Sequence, residues 1–241
     1  MTEQLSQSQI DVLTNVIAIA SPAKINTLVI DEYGVRAIDE TGTVALMMPD
    51  VEAFPAPISL TRIPQLKARM DLAAAKAGFK VEYTSGETGT ENKVNFIKGL
   101  TFKATGVKAD YKAGDPSKAR APKKINDPDA ITATLSAELV GELQSAIAAF
   151  STKLVEFSIN DGILQAKVRD ENNDEFSLNI CDVQYEEPLL QSYNAINISS
   201  LLKLCLSEGE VKIGIGSARG ILNIQQGSYV FYVMPAKVGK S

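Results

Sequence analysis

The sequence contains no histidine and no tryptophan among its 241 residues. Without histidine the chain lacks the commonest general base, the Ser–His and Cys–His nucleophile pairs and most catalytic zinc sites. A small hydrolase that uses Asp and Glu is the rival enzyme hypothesis, but no acidic motif converges to support it. We therefore predict a protein that is not an enzyme and that needs no cofactor and no metal ion.

Long apolar runs and basic leader segments are also lacking. No apolar run reaches the roughly 18 residues that span a bilayer, and the polar stretch Met1–Gln9 does not resemble a secretory signal. The two cysteines, Cys181 and Cys205, lie in apolar segments and are predicted to be buried free thiols rather than a disulfide. These features predict a reducing, cytoplasmic environment.

The net charge of −5 argues against a protein that coats DNA over its whole surface. It does not exclude a local basic lining. The six cations in or beside the predicted helices are Arg62, Lys67, Arg69, Lys76, Lys153 and Lys203. They stand against four acids, Asp11, Asp71, Glu138 and Glu142. Positive charge gathered on one surface lets an acidic protein hold phosphates, whereas the alternative is a set of solvated helix faces.

Two stretches of the chain share one order of predicted elements. Each reads strand, helix, three strands and then the same series again, although the first strand of the first half is stunted. The first helix of each half is amphipathic, Leu5–Ala20 with Ser6 as N-cap and Ala137–Phe150 with Ser136 as N-cap. A shift of about 130 residues superposes the two patterns, which indicates an internal duplication.

The predicted strands of the first half are Ile25–Ile30, Gly34–Ile38, Thr43–Met48, Ile58–Thr61, Lys80–Tyr83, Lys93–Ile97 and Leu100–Ala104, with a helix from Pro64 to Ala75. Those of the second half are Ile131–Leu135, Leu154–Ile159, Ile163–Val168, Phe176–Ile180, Ala195–Ile198, Val211–Ile215, Ile221–Gln225 and Tyr229–Met234, with a helix over Ser199–Leu206.

The segment 106–129 separates the halves and is rich in glycine and proline, as expected of a surface connector. The predicted domains are therefore 1–105 and 130–241. The connector is basic, with Lys108, Lys112, Lys118, Arg120, Lys123 and Lys124 against Asp110 and Asp115. Two interpretations stay open, a solvated linker and a surface for an acidic partner.

Four apolar-faced helices on antiparallel sheets predict a layered α+β fold with the helices on one side. Exposed sheet edges invite pairing with another chain. Two equivalent halves can then join head-to-tail and close into a ring.

Several segments resemble the DNA polymerase sliding clamps, most closely the clamps of T-even-type bacteriophages. They are LSQSQIDVLTNVIAIAS, the connector residues Ala113–Ser117 with Ala121-Pro122, and ITATLSAELVGEL. The ending SYVFYVMPAK is similar to the last strand and tail of eukaryotic and archaeal clamps. The acidic Glu138 and Glu142 depart from the basic channel helices that are usual in the family.

The resemblance implies a ring that encloses duplex DNA, with helices lining the channel. Rings of this family hold six domains, so two domains per chain imply a homotrimer. The implied partners are double-stranded DNA, a DNA polymerase, an ATP-dependent clamp loader and the chain itself, in viral DNA replication within a bacterial host cytoplasm. The alternative is a clamp-like structural or adaptor protein that does not encircle DNA.

The resemblance also implies two protein-binding sites. The subunit interface would pair Leu100, Thr101, Phe102, Lys103 and Ala104 with Phe176, Ser177, Leu178, Asn179 and Ile180 of the next chain. The pocket for partner peptides would comprise Ile38, Leu46, Tyr111, Ile125, Met234, Pro235 and Ala236.

Overall fold

The structure is a computed structural model, and it describes residues 2–88, 94–185, 187–206 and 209–236. The chain forms two compact units. The first comprises Met1–Thr41 and Ala45–Lys123, and the second comprises Gly42–Val44 and Lys124–Ser241. The boundary between them therefore falls inside the predicted connector.

Each unit contains two helices. They are α1 (Gln7–Ala20) and α2 (Ile63–Ala74) in the first unit, and α3 (Ala137–Ala149) and α4 (Ala195–Leu206) in the second. Helix α1 begins with the predicted capping box, in which Ser6 and Gln9 satisfy each other's backbone N–H groups. No helix of the described residues is long and apolar enough to cross a membrane.

Apart from Val44, eight described strands belong to the first unit: β1 (Thr2–Gln4), β2 (Thr27–Asp31), β3 (Gly34–Ile38), β4 (Val44–Met48), β5 (Ile58–Thr61), β6 (Lys80–Thr88), β7 (Val94–Ala104) and β8 (Val107–Lys112). Their order is β1-β6-β7-β5-β2-β3-β4, with β8 paired to β7. Neighbours are antiparallel except β5 and β7, which meet in parallel at Ile58 and Ile97.

Eight strands belong to the second unit: β9 (Asp129–Leu135), β10 (Leu154–Asn160), β11 (Ile163–Arg169), β12 (Glu175–Asp182), β13 (Leu190–Asn194), β14 (Val211–Gly216), β15 (Leu222–Gln226) and β16 (Tyr229–Val233). One series runs β16-β15-β14-β9, and a separate sheet runs β12-β11-β10-β13. All these pairs are antiparallel.

The apolar helix faces form the cores against the sheets. Leu13, Val16 and Ile17 of α1 are fully buried, and so are Val140 and Leu143 of α3. Alternate residues of the strands complete these cores, because side chains along a strand point to opposite faces of the sheet. This arrangement bears out the predicted α+β fold.

Several predicted boundaries differ from the structure, and three of the differences change an element. The strand predicted at Ala195–Ile198 is the first turn of α4, and the strand itself lies just before it, at Leu190–Asn194. The two predicted strands around Gly99 are one long strand, β7. Residues 107–112, predicted as connector, form β8.

Candidate functional site

The solvent-exposed helix faces carry a nearly balanced charge. Within the helix bounds the cations are Lys67, Arg69 and Lys203 and the acids are Asp11, Asp71, Glu138 and Glu142. All are exposed except Arg69, which is half-buried. Lys67 lies 2.6 Å from Asp71 in an exposed ion pair, which contributes little to stability. The helices therefore present a polar surface without the basic excess that the flanking residues suggested.

Two predicted channel cations point elsewhere. The Arg62 guanidinium donates to the Lys112 carbonyl at 3.1 Å and lies 5.7 Å from the centre of the Tyr111 ring, so it is directed at β8. Lys153 follows α3 and contacts Glu171 at 3.6 Å. Lys76 follows α2 and is exposed.

Lys153 lines a cavity of about 330 Å³ with Glu156, Lys167 and Ser192. Those three side chains alternate along their strands with the buried Val155, Phe157 and Ala166. They therefore lie on the face of the sheet that points away from the helices. Lys153 lies in the turn between α3 and β10, beside that face, which argues against its assignment to the channel.

Two predicted pocket residues of the first unit belong to its core. Leu46 is fully buried in β4, and Tyr111 is 2% exposed in β8. The Tyr111 hydroxyl donates to the Thr61 carbonyl and accepts from the Thr61 N–H, both at 2.6 Å. A bound peptide cannot reach these side chains without disrupting the core. Ile38, at the end of β3, is half-buried and remains accessible.

The pocket residues of the second unit follow β16. Met234, Pro235 and Ala236 are half-buried. The Met234 N–H donates to the Thr43 carbonyl at 2.8 Å, and the Ala236 N–H donates to the Ser192 carbonyl at 2.7 Å. The tail backbone is therefore fixed while its side chains stay partly accessible. Ile125, from the connector, is also half-buried.

The first unit holds one part of the connector through Arg36. This arginine is 5% exposed, forms an ion pair with Asp31, and donates to the Ala121 carbonyl at 3.1 Å. The exposed Tyr33 ring lies 5.3 Å from the Arg36 guanidinium and 5.2 Å from the Lys123 ammonium. Neither Tyr33 nor Arg36 was predicted from the sequence, because no local pattern marks a contact such as Arg36–Ala121, which spans 85 residues.

The second unit holds the end of the connector through Asp127. Its carboxylate accepts backbone N–H groups of Ala218, Arg219 and Ile221 at 2.9 to 3.2 Å. Burial raises the pKa of Asp127, but these hydrogen bonds hold it below its ordinary value. Asp127 therefore fixes the last part of the connector within the second unit. Asp127 was not predicted from the sequence either, because its partner Ala218 lies 91 residues away along the chain.

The predicted interface strand Leu100–Ala104 is not an edge. These residues pair with β6 on one side and β8 on the other, and Leu100 and Phe102 are buried. A strand that is paired on both sides has no free N–H and C=O groups for another chain. Strand β8, at the start of the predicted connector, pairs only with β7 among the described strands. This is a correction of the predicted interface.

The second predicted interface strand does lie at an edge. Strand β12 ends its sheet and pairs with β11 within the described residues. Ser177 and Asn179 are exposed, Phe176 and Ile180 are half-buried, and Leu178 is buried. Cys181, predicted to be buried, is half-buried there, whereas Cys205 is buried, and both are free thiols.

The fold is that of the DNA polymerase sliding clamps. Proliferating cellular nuclear antigen from Entamoeba histolytica superposes with a TM-score of 0.62 at 12% identity, over 98% of each chain. DNA polymerase III subunit beta from Pseudomonas aeruginosa gives a TM-score of 0.69 at 10% identity, over 98% of this chain and 66% of that one.

The beta sliding clamp of C. crescentus gives 0.65 at 14% identity, over 93% of this chain and 64% of that one. No protein-family model and no curated protein sequence matches the chain. The chain is therefore similar to these proteins in structure, at a sequence identity of 10% to 14%.

Proposed function

We propose that the chain is a sliding clamp, which encircles duplex DNA as a homotrimeric ring and tethers a DNA polymerase for processive synthesis. The observation that carries this proposal is the full-length match. The chain covers 98% of the Entamoeba nuclear antigen but 66% of the Pseudomonas subunit. These fractions support a chain of two domains. Three such chains would complete a ring of six domains.

The proposed mechanism needs no catalytic residue from this chain. Closed topology retains the DNA, and the nearly neutral helix faces allow sliding because few strong phosphate contacts have to break. Of the predicted channel cations, Lys67, Arg69, Lys76 and Lys203 remain candidates for weak contacts. A separate clamp loader would hydrolyse ATP to open and close the ring. The resemblance to T-even-type clamps and the bacterial host cytoplasm stay predictions.

The proposed subunit interface pairs β8 of one chain with β12 of the next. Both strands offer unpaired backbone groups along an edge. Both also carry half-buried apolar side chains, such as Val107 and Ala109 on β8 and Ile180 on β12. The proposed peptide site keeps Ile38, Ile125 and Met234–Ala236, and omits the core residues Leu46 and Tyr111.

Sedimentation equilibrium tests the ring. We expect the mass of three chains, either free in solution or on DNA in the presence of the loader. A monomer under both conditions would contradict the proposal. A stable trimer that never remains on DNA would instead support the alternative, a clamp-like adaptor.

A further inference from the structure

The separate sheet of the second unit carries a cavity that the proposed clamp function does not use. Its volume is about 330 Å³, and its walls come from β10, β11, β13, the turn before β10 and the turn after β11. All these segments belong to the second unit. A cavity of this volume is at the lower end of the range for small-molecule sites.

Three polar side chains form a row on the sheet side of this cavity. Glu156 on β10 lies directly opposite Lys167 on β11 and directly opposite Ser192 on β13. Cβ atoms of residues that face each other in an antiparallel pair are about 4.5–5.5 Å apart. All three residues are half-buried. We call Ser192, Glu156 and Lys167 the polar row.

The charged residues in the two turns that border the cavity already have partners. The Arg169 guanidinium donates to the Glu175 carboxylate at 2.6 Å, and the Lys153 ammonium lies 3.6 Å from the Glu171 carboxylate. The Asp170 carboxylate accepts two backbone N–H groups of its own turn, at 2.8 and 2.9 Å. The charges at the rim of the cavity are therefore compensated locally.

The polar row differs from the rim. Within the ranges that the structure describes, Glu156 and Lys167 form no ion pair and no side-chain hydrogen bond, although they face each other across two strands. The Ser192 hydroxyl also makes no hydrogen bond to a described residue, whereas its backbone carbonyl accepts the Ala236 N–H at 2.7 Å. The row thus offers a carboxylate, an ammonium group and a hydroxyl to a ligand.

A carboxylate and an ammonium group side by side select a ligand that carries both charges. An isolated anion would lose beside Glu156 what it gains beside Lys167, and an isolated cation would meet the reverse balance. A zwitterion places its ammonium group beside Glu156 and its carboxylate beside Lys167 at the same time. The short spacing across the row fits an α-amino acid, because its two charged groups are joined through a single carbon atom.

Leu154 adds an apolar contact beside the polar row. It lines the cavity, is 37% exposed, and lies two positions before Glu156 on the same face of β10. The distance along the strand is about 7 Å, which is within reach of the side chain of a ligand held at Glu156. Contact with this leucine would remove apolar surface of both groups from water.

We propose that this cavity binds a free α-amino acid with an apolar side chain, such as leucine. Glu156 and the Ser192 hydroxyl accept hydrogen bonds from the α-ammonium group, and Lys167 donates to the α-carboxylate. The apolar side chain of the ligand packs on Leu154. Charge-assisted hydrogen bonds of this kind are the strong ones, so both ends of the ligand contribute to affinity.

Ligand-observed saturation-transfer NMR on the full-length chain tests the proposal with four probes. They are L-leucine, leucine amide, N-acetyl-leucine and N-acetyl-leucine amide, which carry both charges, the ammonium alone, the carboxylate alone and neither. We expect leucine to bind with a dissociation constant of about 1 mM or below. Blocking either end should weaken binding about tenfold.

Two variants assign the two charges of the ligand to their residues. Glu156→Gln should weaken binding of leucine about tenfold but bind N-acetyl-leucine at least as tightly as the wild type does. Lys167→Gln should show the mirror result, with leucine weakened and leucine amide retained. A variant that keeps one probe is folded, so these opposite patterns separate a binding role from loss of structure.

The matched controls are Glu138→Gln and Lys212→Gln, which make the same changes at exposed positions of α3 and β14. Both should leave the four dissociation constants unchanged. Absence of saturable leucine binding to the wild type would overturn the proposal. Equal binding of all four probes, or the same response of Glu156→Gln and Lys167→Gln to every probe, would also overturn it.

Failure of this proposal is separable from failure of the clamp proposal. The NMR titration requires neither DNA nor a closed ring, and the sedimentation measurement requires no amino acid. A trimer that does not bind leucine would refute the amino-acid site alone, and a monomer that binds leucine would refute the ring alone.

Discussion

The Asp127 carboxylate accepts a hydrogen bond from the backbone N–H of Ile221, with oxygen and nitrogen 2.9 Å apart. The carboxylate also packs on the Cα of Gly216, where a Cβ would lie 2.1 Å from an Asp127 oxygen. The glycine therefore makes room for the acid, and the acid holds the end of the connector against the turn before β15.

Replacing Asp127 by asparagine should destabilise the second unit at neutral pH. An amide offers one acceptor oxygen and turns a donor toward backbone N–H groups, so we expect a loss of about 1–3 kcal/mol in the free energy of unfolding. Because the folded-state pKa of Asp127 is lowered, its contribution is present above the unfolded pKa of about 3.9 and is lost as pH falls through the folded value. Urea titrations from neutral pH to below about pH 4 should show the difference from wild type shrinking.

Asp129 is the matched control, because its pKa is shifted the other way. Burial raises the pKa of Asp129, the hydrogen bond from Asn223 opposes this, and the charge of Asp127 adds to it. Its contribution is therefore present below the unfolded pKa and lost as pH rises. Asp129→Asn should leave the urea midpoint at neutral pH unchanged or higher. Equal losses for the two variants would contradict the assigned role of Asp127.

Replacing Arg36 by methionine should free the connector and destabilise the first unit. The substitution leaves Asp31 largely buried without its partner, which costs about 3–5 kcal/mol, and removes the donor to the Ala121 carbonyl. Trypsin should then cut faster after Arg120, Lys123 and Lys124, with the fragments identified by mass spectrometry. Lys98→Met, which removes an exposed cation elsewhere, should not change the rate. Equal cleavage of both variants would show that Arg36 does not restrain the connector.

Replacing Tyr111 by phenylalanine tests whether this residue is structural. The change removes both hydrogen bonds to Thr61 and should cost about 1–3 kcal/mol, measured by thermal or urea unfolding. The affinity of the variant for the proposed partner peptide should equal that of the wild type. A stable variant with weakened peptide binding would return Tyr111 to the pocket.

Reversing two helix charges should weaken DNA retention modestly. Lys67→Glu/Lys203→Glu removes two of the few cations on the helix faces, and we expect about two- to tenfold faster loss of the ring from circular DNA at low salt. The opposing variant, Glu138→Gln/Glu142→Gln, should slow that loss. If neither variant changes retention in a single-molecule dwell-time measurement, these side chains do not face DNA.

An acidic side chain on the edge of β12 should dissociate the proposed trimer. Ile180 is half-buried on this edge strand, and Ile180→Asp would place a charge in the proposed interface with β8. Sedimentation should show single chains, whereas the neighbouring Asn179→Asp, on the exposed face, should keep the trimer. A trimer of the Ile180→Asp variant would place the interface elsewhere.

Local sequence signals predicted the fold well. The capping box at Ser6 and Gln9 and the alternating strands were visible, because caps and periodicity act over a few residues. Strand β8 was missed, since Gly106 and the charged residues of Val107–Lys112 resemble a linker in composition. That omission displaced the predicted interface from β8 to β7.

The candidate sites were less predictable, because they depend on contacts between distant residues. Whether Leu46 and Tyr111 face the core or solvent is decided by strand register and by a hydrogen bond across 50 residues. The Arg36–Ala121 and Asp127–Ile221 contacts have no local signature for the same reason. The sequence identifies cations such as Arg62 and Lys153, but it does not predict the direction in which their side chains point.

Topological linkage is the central claim, and dependence of retention on the DNA ends tests it most directly. Labelled protein is loaded onto circular duplex DNA with the loader and ATP, and the DNA is then cut once in high-salt buffer. The account predicts that the protein stays on the circle at high salt and leaves as soon as the DNA is linearised. Equal retention on circular and linear DNA, or salt-induced loss from the circle, would contradict it.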